Sequence, residues 1–281
     1  MFKRITYLLP SLSQCWVIVF FLIILGGTVI GGMAGMICTA MGYDMADMNP
    51  LVSYLLPMIA PFGYILWAKR KGTVSVPLEA SDFGKIPAVA AYLLLSVAMI
   101  AIGYVTEPLS SWLPMPEAIK LVFEKILSNS VWAFTATVVA APVIEEFLLR
   151  GIMERGMLYH STPKKAILWS AFFFAVIHLN PWQAIGAFIA GSFLGWVYWR
   201  THSLLACIFI HAVNNGMAYL LQLLYPTMPA DSTYKDLLEL YSPYLYYIVF
   251  VIFVVSLALI LFILDKQFPR KSFKPTRNID L

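Results

Sequence analysis

The chain has 281 residues, of which 60% are apolar, 15% aromatic and only 12% charged, with a mean hydropathy of +0.79. A composition this apolar excludes a soluble globular domain and marks a polytopic membrane protein. The net charge of +4 comes from Lys and Arg scattered between apolar runs, which points to orientation in a bilayer and away from nucleic acid as a partner.

About eight stretches are long and apolar enough to span a bilayer. In chain order they cover residues 16–41, 51–67, 86–104, 131–149, 166–179, 182–199, 204–224 and 244–264. The first follows Lys3 and Arg4 as a signal peptide would, but it is too long and lacks a small-x-small cleavage site, so a retained anchor helix is expected. The fifth is short, and is expected either to stop below the far surface or to begin earlier. No stretch between these runs is long enough for a separate domain. The expected fold is therefore all-α: one integral membrane helical bundle over residues 1–281.

Loop charge sets the orientation. Lys3 and Arg4 precede the first run, Lys69, Arg70 and Lys71 follow the second, and Arg155, Lys164 and Lys165 follow the fourth. Arg200 follows the sixth, and Lys266, Arg270, Lys271, Lys274 and Arg277 fill the tail. The alternate loops are acidic or neutral: Asp44 and Asp47; Glu107, Glu117 and Glu124 against Lys120 and Lys125; Asp231, Asp236 and Glu239 against Lys235. Both termini are expected in the cytoplasm, in a bacterial cytoplasmic membrane, with lipids as partners and the basic tail on anionic headgroups.

Gly27, Gly31 and Gly35 in the first run, and Gly191 and Gly195 in the sixth, recur every four residues and predict close helix packing. Cys15, Cys38 and Cys207 are odd in number and unclustered, and give neither a disulfide framework nor a metal-site spacing. Pro142 lies one turn before a pair of acids, where the missing amide donor can leave a carbonyl open to a side chain or water. Asn180-Pro181 reads as the break that ends the fifth helix.

Against this background the polar residues inside the apolar runs carry the chemistry, because an ionisable group at that depth is costly. In Glu145-Glu146-Phe147-Leu148-Leu149-Arg150, Arg150 shares a helix face with Glu146, while Glu145 points about 100° away. Glu146, Arg150 and Glu154 are expected to form a charge-compensated ladder at a helix end. Glu145, without a partner, suits a general base. His178 lies one turn after Phe174 and could share a water with Glu145. His211 and Asn215, also one turn apart, would present two hydrogen-bond donors to one point, as an oxyanion site requires; a helix-to-helix polar clamp is the plainer alternative. Asn214, His160 and His202 are read as having no special role.

There is no His-Glu-x-x-His run, no Gly-x-Ser-Gly nucleophile sequence and no Gly-x-Gly-Asp segment. What is present resembles the CPBP family of intramembrane proteases, which includes the Ras-converting CAAX endoproteases and the bacterial Abi or bacteriocin self-immunity proteins. The family motifs Glu-Glu-x-x-x-Arg, Phe-x-x-x-His and His-x-x-x-Asn/Asp stand here as Glu145 to Arg150, Phe174 to His178 and His211 to Asn215, complete and in order. The resemblance covers roughly residues 131–224, the expected protease core.

The resemblance implies a helical bundle with an intramembrane cavity open to the cytoplasm and an endopeptidase activity on a membrane-associated or C-terminal peptide segment. It also implies catalytic roles for Glu145 and His178 in activating water and for His211 and Asn215 at the oxyanion, supported by Glu146, Arg150 and Phe174. No cofactor is expected; the alternative is zinc held by Glu145, His178 and His211 with a water. Two other classes compete. A proton-coupled carrier would show repeated halves, and none is evident. A non-catalytic immunity or interaction protein would leave the full polar set without a purpose.

Overall fold

The computed structural model describes residues 9–43, 48–71, 80–126, 130–229 and 231–270. Lys3, Arg4, Asp44, Asp47, Lys271, Lys274 and Arg277, used above to orient the chain, lie outside the described residues. Among the described residues the chain is all-helical, without strands. Its helices are α1 (Leu12–Ala40), α2 (Pro50–Ala68), α3 (Ala88–Ser110), α4 (Glu117–Ile126), α5 (Val131–His160), α6 (Pro163–Ile177), α7 (Pro181–Thr201), α8 (Leu204–Leu224), α9 (Tyr234–Glu239) and α10 (Leu245–Gln267).

Six of these, α1, α2, α3, α5, α8 and α10, are long and apolar enough to cross a membrane. The expected fifth and sixth spans are present as α6 and α7 but fall short of that standard, each for its own reason. α6 has 15 residues, which at ~1.5 Å rise reaches about 22 Å, less than the ~30 Å of hydrocarbon. α7 is long enough but carries Gln183, three glycines, Ser192 and Arg200, which lower its apolar character. The fourth span was expected to end at Leu149, yet α5 runs for 30 residues to His160. Its charged middle is buried and paired, so it does not end the helix; Ser161 and Pro163 do.

The short connections fix how α6, α7 and α8 fold back. After α6, Leu179 takes a left-handed conformation (φ 54°), and the Asn180 side chain caps α7 by accepting the Gln183 N–H, with Pro181 in the first turn. After α7, His202 is also left-handed (φ 54°), and Ser203 caps α8 through the Ala206 N–H. These turns make α6, α7 and α8 antiparallel neighbours that pack with α3 and α5. The core between them is built from Leu95, Met99, Leu149, Met153, Phe173, Leu194, Val197 and Ile210, all nearly or fully buried. The outer faces of α1 and α10 carry exposed Phe21, Met36, Val251 and Phe262, as lipid contact requires.

The start of the described chain meets the end of α5, and the end of α7 meets both the segment before α3 and the end of α10. His160 Nε2 meets the Leu9 carbonyl at 3.2 Å, and the Asp82 N–H donates to the Thr201 carbonyl at 2.9 Å. Arg200 reaches the last turn of α10. Of the predicted glycine contacts, Gly27 packs on Pro57, and Gly191 and Gly195 meet α6 and α5, but Gly31 faces open space. The three cysteines are free thiols.

Candidate active site

α5 departs from regular helix twice. Residues Thr135–Ala140 and Phe147–Glu154 form wider turns with i to i+5 hydrogen bonding, on either side of the Ala141–Glu146 segment that carries the paired acids. In the first wide turn the Thr137 carbonyl would pair with the amide of residue 142, but Pro142 has none to give. The Asn215 side chain takes that place, its Nδ2 donating to Thr137 O at 2.9 Å. The proline thus opens a carbonyl, as its position predicts, and α8 closes it.

The second wide turn holds the charged residues. The side chains of Glu146, Arg150 and Glu154 are all 0% exposed. Arg150 Nη1 donates to Glu146 Oε1 at 2.8 Å and Nη2 to the Gly191 carbonyl of α7 at 2.9 Å, while Nε stands 3.8 Å from Glu154 Oε2. The guanidinium carbon lies 5.0 Å from the centre of the Phe174 ring. This corrects the expectation of a ladder at a helix end: the three charges sit mid-helix, enclosed by α6 and α7. Two glycines make the room. A Cβ on Gly191 would stand 2.9 Å from Phe174 Cδ1, and one on Gly195 would stand 2.7 Å from Glu154 Oε2.

Glu146 is shared with α8. Its Oε1 meets His211 Nδ1 at 2.8 Å. A carboxylate paired with arginine only accepts, so Nδ1 carries the hydrogen and donates. His211 Nε2 then faces Glu145 Oε2 at 3.9 Å. The other Glu145 oxygen is not free: Tyr54 of α2 donates its hydroxyl to Oε1 at 3.1 Å. Glu145 was expected to lack a partner, and the correction is that its partner comes from a helix outside the motifs. The carboxylate is still 13% exposed, unlike its neighbour.

His178 ends α6 and donates Nδ1–H to the Phe174 carbonyl at 2.7 Å, which leaves Nε2 as the lone-pair nitrogen of the neutral ring. The brevity of α6 is what sets His178 inside the bundle and not at its surface. Phe174 joins the two imidazoles: its ring lies edge-on to His178 at 4.9 Å and to His211 at 5.4 Å.

The expected pair of donors aimed at one point is not formed as drawn, because His211 spends Nδ1–H on Glu146 and Asn215 spends one amide hydrogen on Thr137. Asn214, read as having no role, donates to Asn215 Oδ1 at 3.3 Å and fixes the direction of that amide. Among the described residues no three His, Cys, Asp or Glu side chains are grouped to hold a metal ion, so Glu145, His178 and His211 do not form a ligand set in this geometry. A cleft of about 720 Å³, lined by Glu117, Lys120, Glu124 and Tyr219 among others, lies towards the other end of α8, beyond Asn215.

All three motifs fall within residues 127–217, which match the family model described as Type II CAAX prenyl endopeptidase Rce1-like. This part of the chain is similar to that family. No curated protein and no solved structure gives a significant match. The Rce1-like segment holds α5, α6, α7 and the first two-thirds of α8, and therefore every polar residue of the centre except Tyr54. Tyr54 was missed because a lone tyrosine follows no spacing rule. The one available signal was Ser53-Tyr54 interrupting an otherwise apolar span.

Proposed function

We propose that this protein is an intramembrane endopeptidase that hydrolyses a peptide bond in a membrane-associated protein or peptide, with water as nucleophile and Glu145 as base. The observation that carries the proposal is the meeting of Glu145 Oε2 and His211 Nε2 at 3.9 Å between α5 and α8. That distance is too long for a direct hydrogen bond and suits two groups that share a small molecule.

In the proposed reaction the water oxygen attacks the peptide carbonyl carbon while one water proton passes to Glu145. The tetrahedral intermediate collapses by breaking the C–N bond, Glu145 returns the proton to the leaving nitrogen, and a carboxylic acid and an amine result. His178 Nε2 accepts a hydrogen bond from the water and orients it. The oxyanion is met by the second amide hydrogen of Asn215 and, in the imidazolium form, by His211 Nε2–H. Arg150 and Glu146 hold His211 in the tautomer that aims Nε2 at Glu145. The proposal needs no metal; the zinc alternative would place the same three side chains around an ion instead.

The test uses the purified full chain in proteoliposomes with quenched peptides, one set prenylated on a cysteine near the C-terminus and one set not. Wild type should cleave at least one set, and Glu145→Gln should cleave it about 100-fold to 10,000-fold more slowly, since an amide cannot accept the proton. Equal rates would remove Glu145 as base. Loss of activity on chelation, restored only by zinc, would replace the metal-free mechanism. The alternation of basic and acidic loops along the sequence supports both termini in the cytoplasm. Reporters fused at Lys71 and at Lys235 should then fall on opposite sides, and finding them on one side would overturn this topology.

A further inference from the structure

The Tyr54 hydroxyl is the hydrogen-bond donor that reaches Glu145 from outside the Rce1-like segment, and it reaches the oxygen that does not face His211. A carboxylate oxygen only accepts, so the phenol donates. With Oε1 held, the carboxylate cannot spin about its last bond without breaking a bond to a charged group, and Oε2 is left pointing at His211.

α2 is built to keep that hydroxyl in place. Its first turn is fixed by Asn49, whose side chain accepts the Leu51 N–H at 3.0 Å, and by Pro50. One turn beyond Tyr54 the helix tightens over Leu56–Met58 at Pro57. Pro57 lies against α1, where a Cβ on Gly27 would meet its Cβ at 3.0 Å. Further along, Phe62 stacks on Phe147 of α5 with ring centres 6.1 Å apart. The α2 backbone is thus capped before Tyr54 and packed on α1 and α5 after it, and Tyr54 is half-buried.

We propose that Tyr54 is a positioning residue of the reaction, fixing one oxygen of Glu145 so that the other is presented to water and His211. The inference rests on the role of Glu145 as base proposed above. It also gives α2, which lies beyond the matched segment, a part in catalysis through one hydroxyl, separate from its part in packing.

The experiment compares Tyr54→Phe, which keeps the ring and removes only the hydroxyl, with Phe62→Leu, which loosens the same α2–α5 contact without touching Glu145. In proteoliposomes Tyr54→Phe should lower kcat about 10-fold or more, the scale of one lost hydrogen bond to a charged group, with KM unchanged. Phe62→Leu should lower Tm and leave kcat near wild type. A second readout needs no turnover: labelling of Glu145 by a hydrophobic carbodiimide, located by peptide mass spectrometry, should rise several-fold in Tyr54→Phe, because the carboxyl oxygen that Tyr54 covers is freed to meet the reagent.

Wild-type kcat and wild-type labelling in Tyr54→Phe would overturn the inference, as would an equal loss of kcat in Phe62→Leu. If Glu145→Gln cleaves as fast as wild type, the endopeptidase mechanism fails instead. Increased labelling in Tyr54→Phe would in that case still support the hold on Glu145.

Discussion

Two arginines, Arg150 in α5 and Arg200 at the end of α7, are almost completely enclosed, and they are treated in opposite ways. Arg200 is satisfied throughout. Nε donates to the Pro269 carbonyl at 2.9 Å, Nη1 to Asp265 Oδ1, and Nη2 to the Asp265 carbonyl at 2.6 Å and to the Phe268 carbonyl. Its guanidinium also lies over Trp196 and Trp199. These contacts take up the loose carbonyls at the end of α10, where a cation is favoured.

Arg150 has two carboxylates and a carbonyl around it and still comes out incomplete. Arg150 Nε, Glu146 Oε2 and both oxygens of Glu154 find no hydrogen-bond partner among the described residues. A buried network left partly unsatisfied costs stability, and proteins keep such arrangements chiefly where chemistry requires them. The comparison separates a latch, which closes the end of a helix, from a centre that holds polar groups ready to act. It also shows why burial of charge alone could not distinguish the two.

The sharpest way to break the comparison is Arg150→Ala. Removing the guanidinium leaves Glu146 and Glu154 buried without a cation, and should cost about 3–5 kcal/mol, seen as a large fall in Tm in detergent and in folded yield. Activity should be lost with it, since Glu146, which holds His211, loses the cation that orders it. An unchanged Tm would mean that water reaches the pair and that the enclosure is not real.

Arg200→Ala should separate the two functions. It removes hydrogen bonds from a charged donor, worth about 1.5–3 kcal/mol, and should lower Tm without lowering kcat per folded molecule. Loss of kcat at constant Tm would tie the α7–α10 latch to the reaction centre and erase the distinction.

How much of this was legible in the sequence differs along the same lines. Spacing alone put Glu146 and Arg150 on one face, and the close approach at Gly191 and Gly195 followed from their repeat, because both depend only on helical period. The carbonyl opened by Pro142 was legible for the same reason: a missing N–H is a covalent fact. What spacing could not supply was depth and partner. The ladder was placed at a helix end because three charges within about two and a half turns look like a surface, yet α6 and α7 enclose them. Arg200 looked like a loop charge, although it is buried against the far end of the chain. Tyr54 and Asn214 acquire roles only when α2 and α8 are packed on α5, since each bond crosses between helices or depends on one that does.

Gly195→Ala probes the centre from its packing side. The added methyl would stand 2.7 Å from Glu154 Oε2 and push that carboxylate against Arg150. Overpacking of this kind costs about 1–3 kcal/mol. Gly31→Ala, at a site facing open space, should cost nothing measurable, and similar Tm losses for the two would show that the α5–α7 contact is looser than described.

A small effect is expected at the latch itself. Asp265 is 50% exposed although Arg200 is not, so the pair is half in solvent and its Coulomb gain is screened. Asp265→Asn keeps an acceptor for Arg200 Nη1 and removes only the charge. Three backbone carbonyls remain on the guanidinium, and the loss should be under about 1 kcal/mol, shrinking further in high salt. A drop in Tm as large as that of Arg200→Ala would mean that the carboxylate, and not the carbonyls at the end of α10, holds the arginine. The latch would then rest on an ion pair as the centre does, and the two buried arginines would differ only in how many acids surround them.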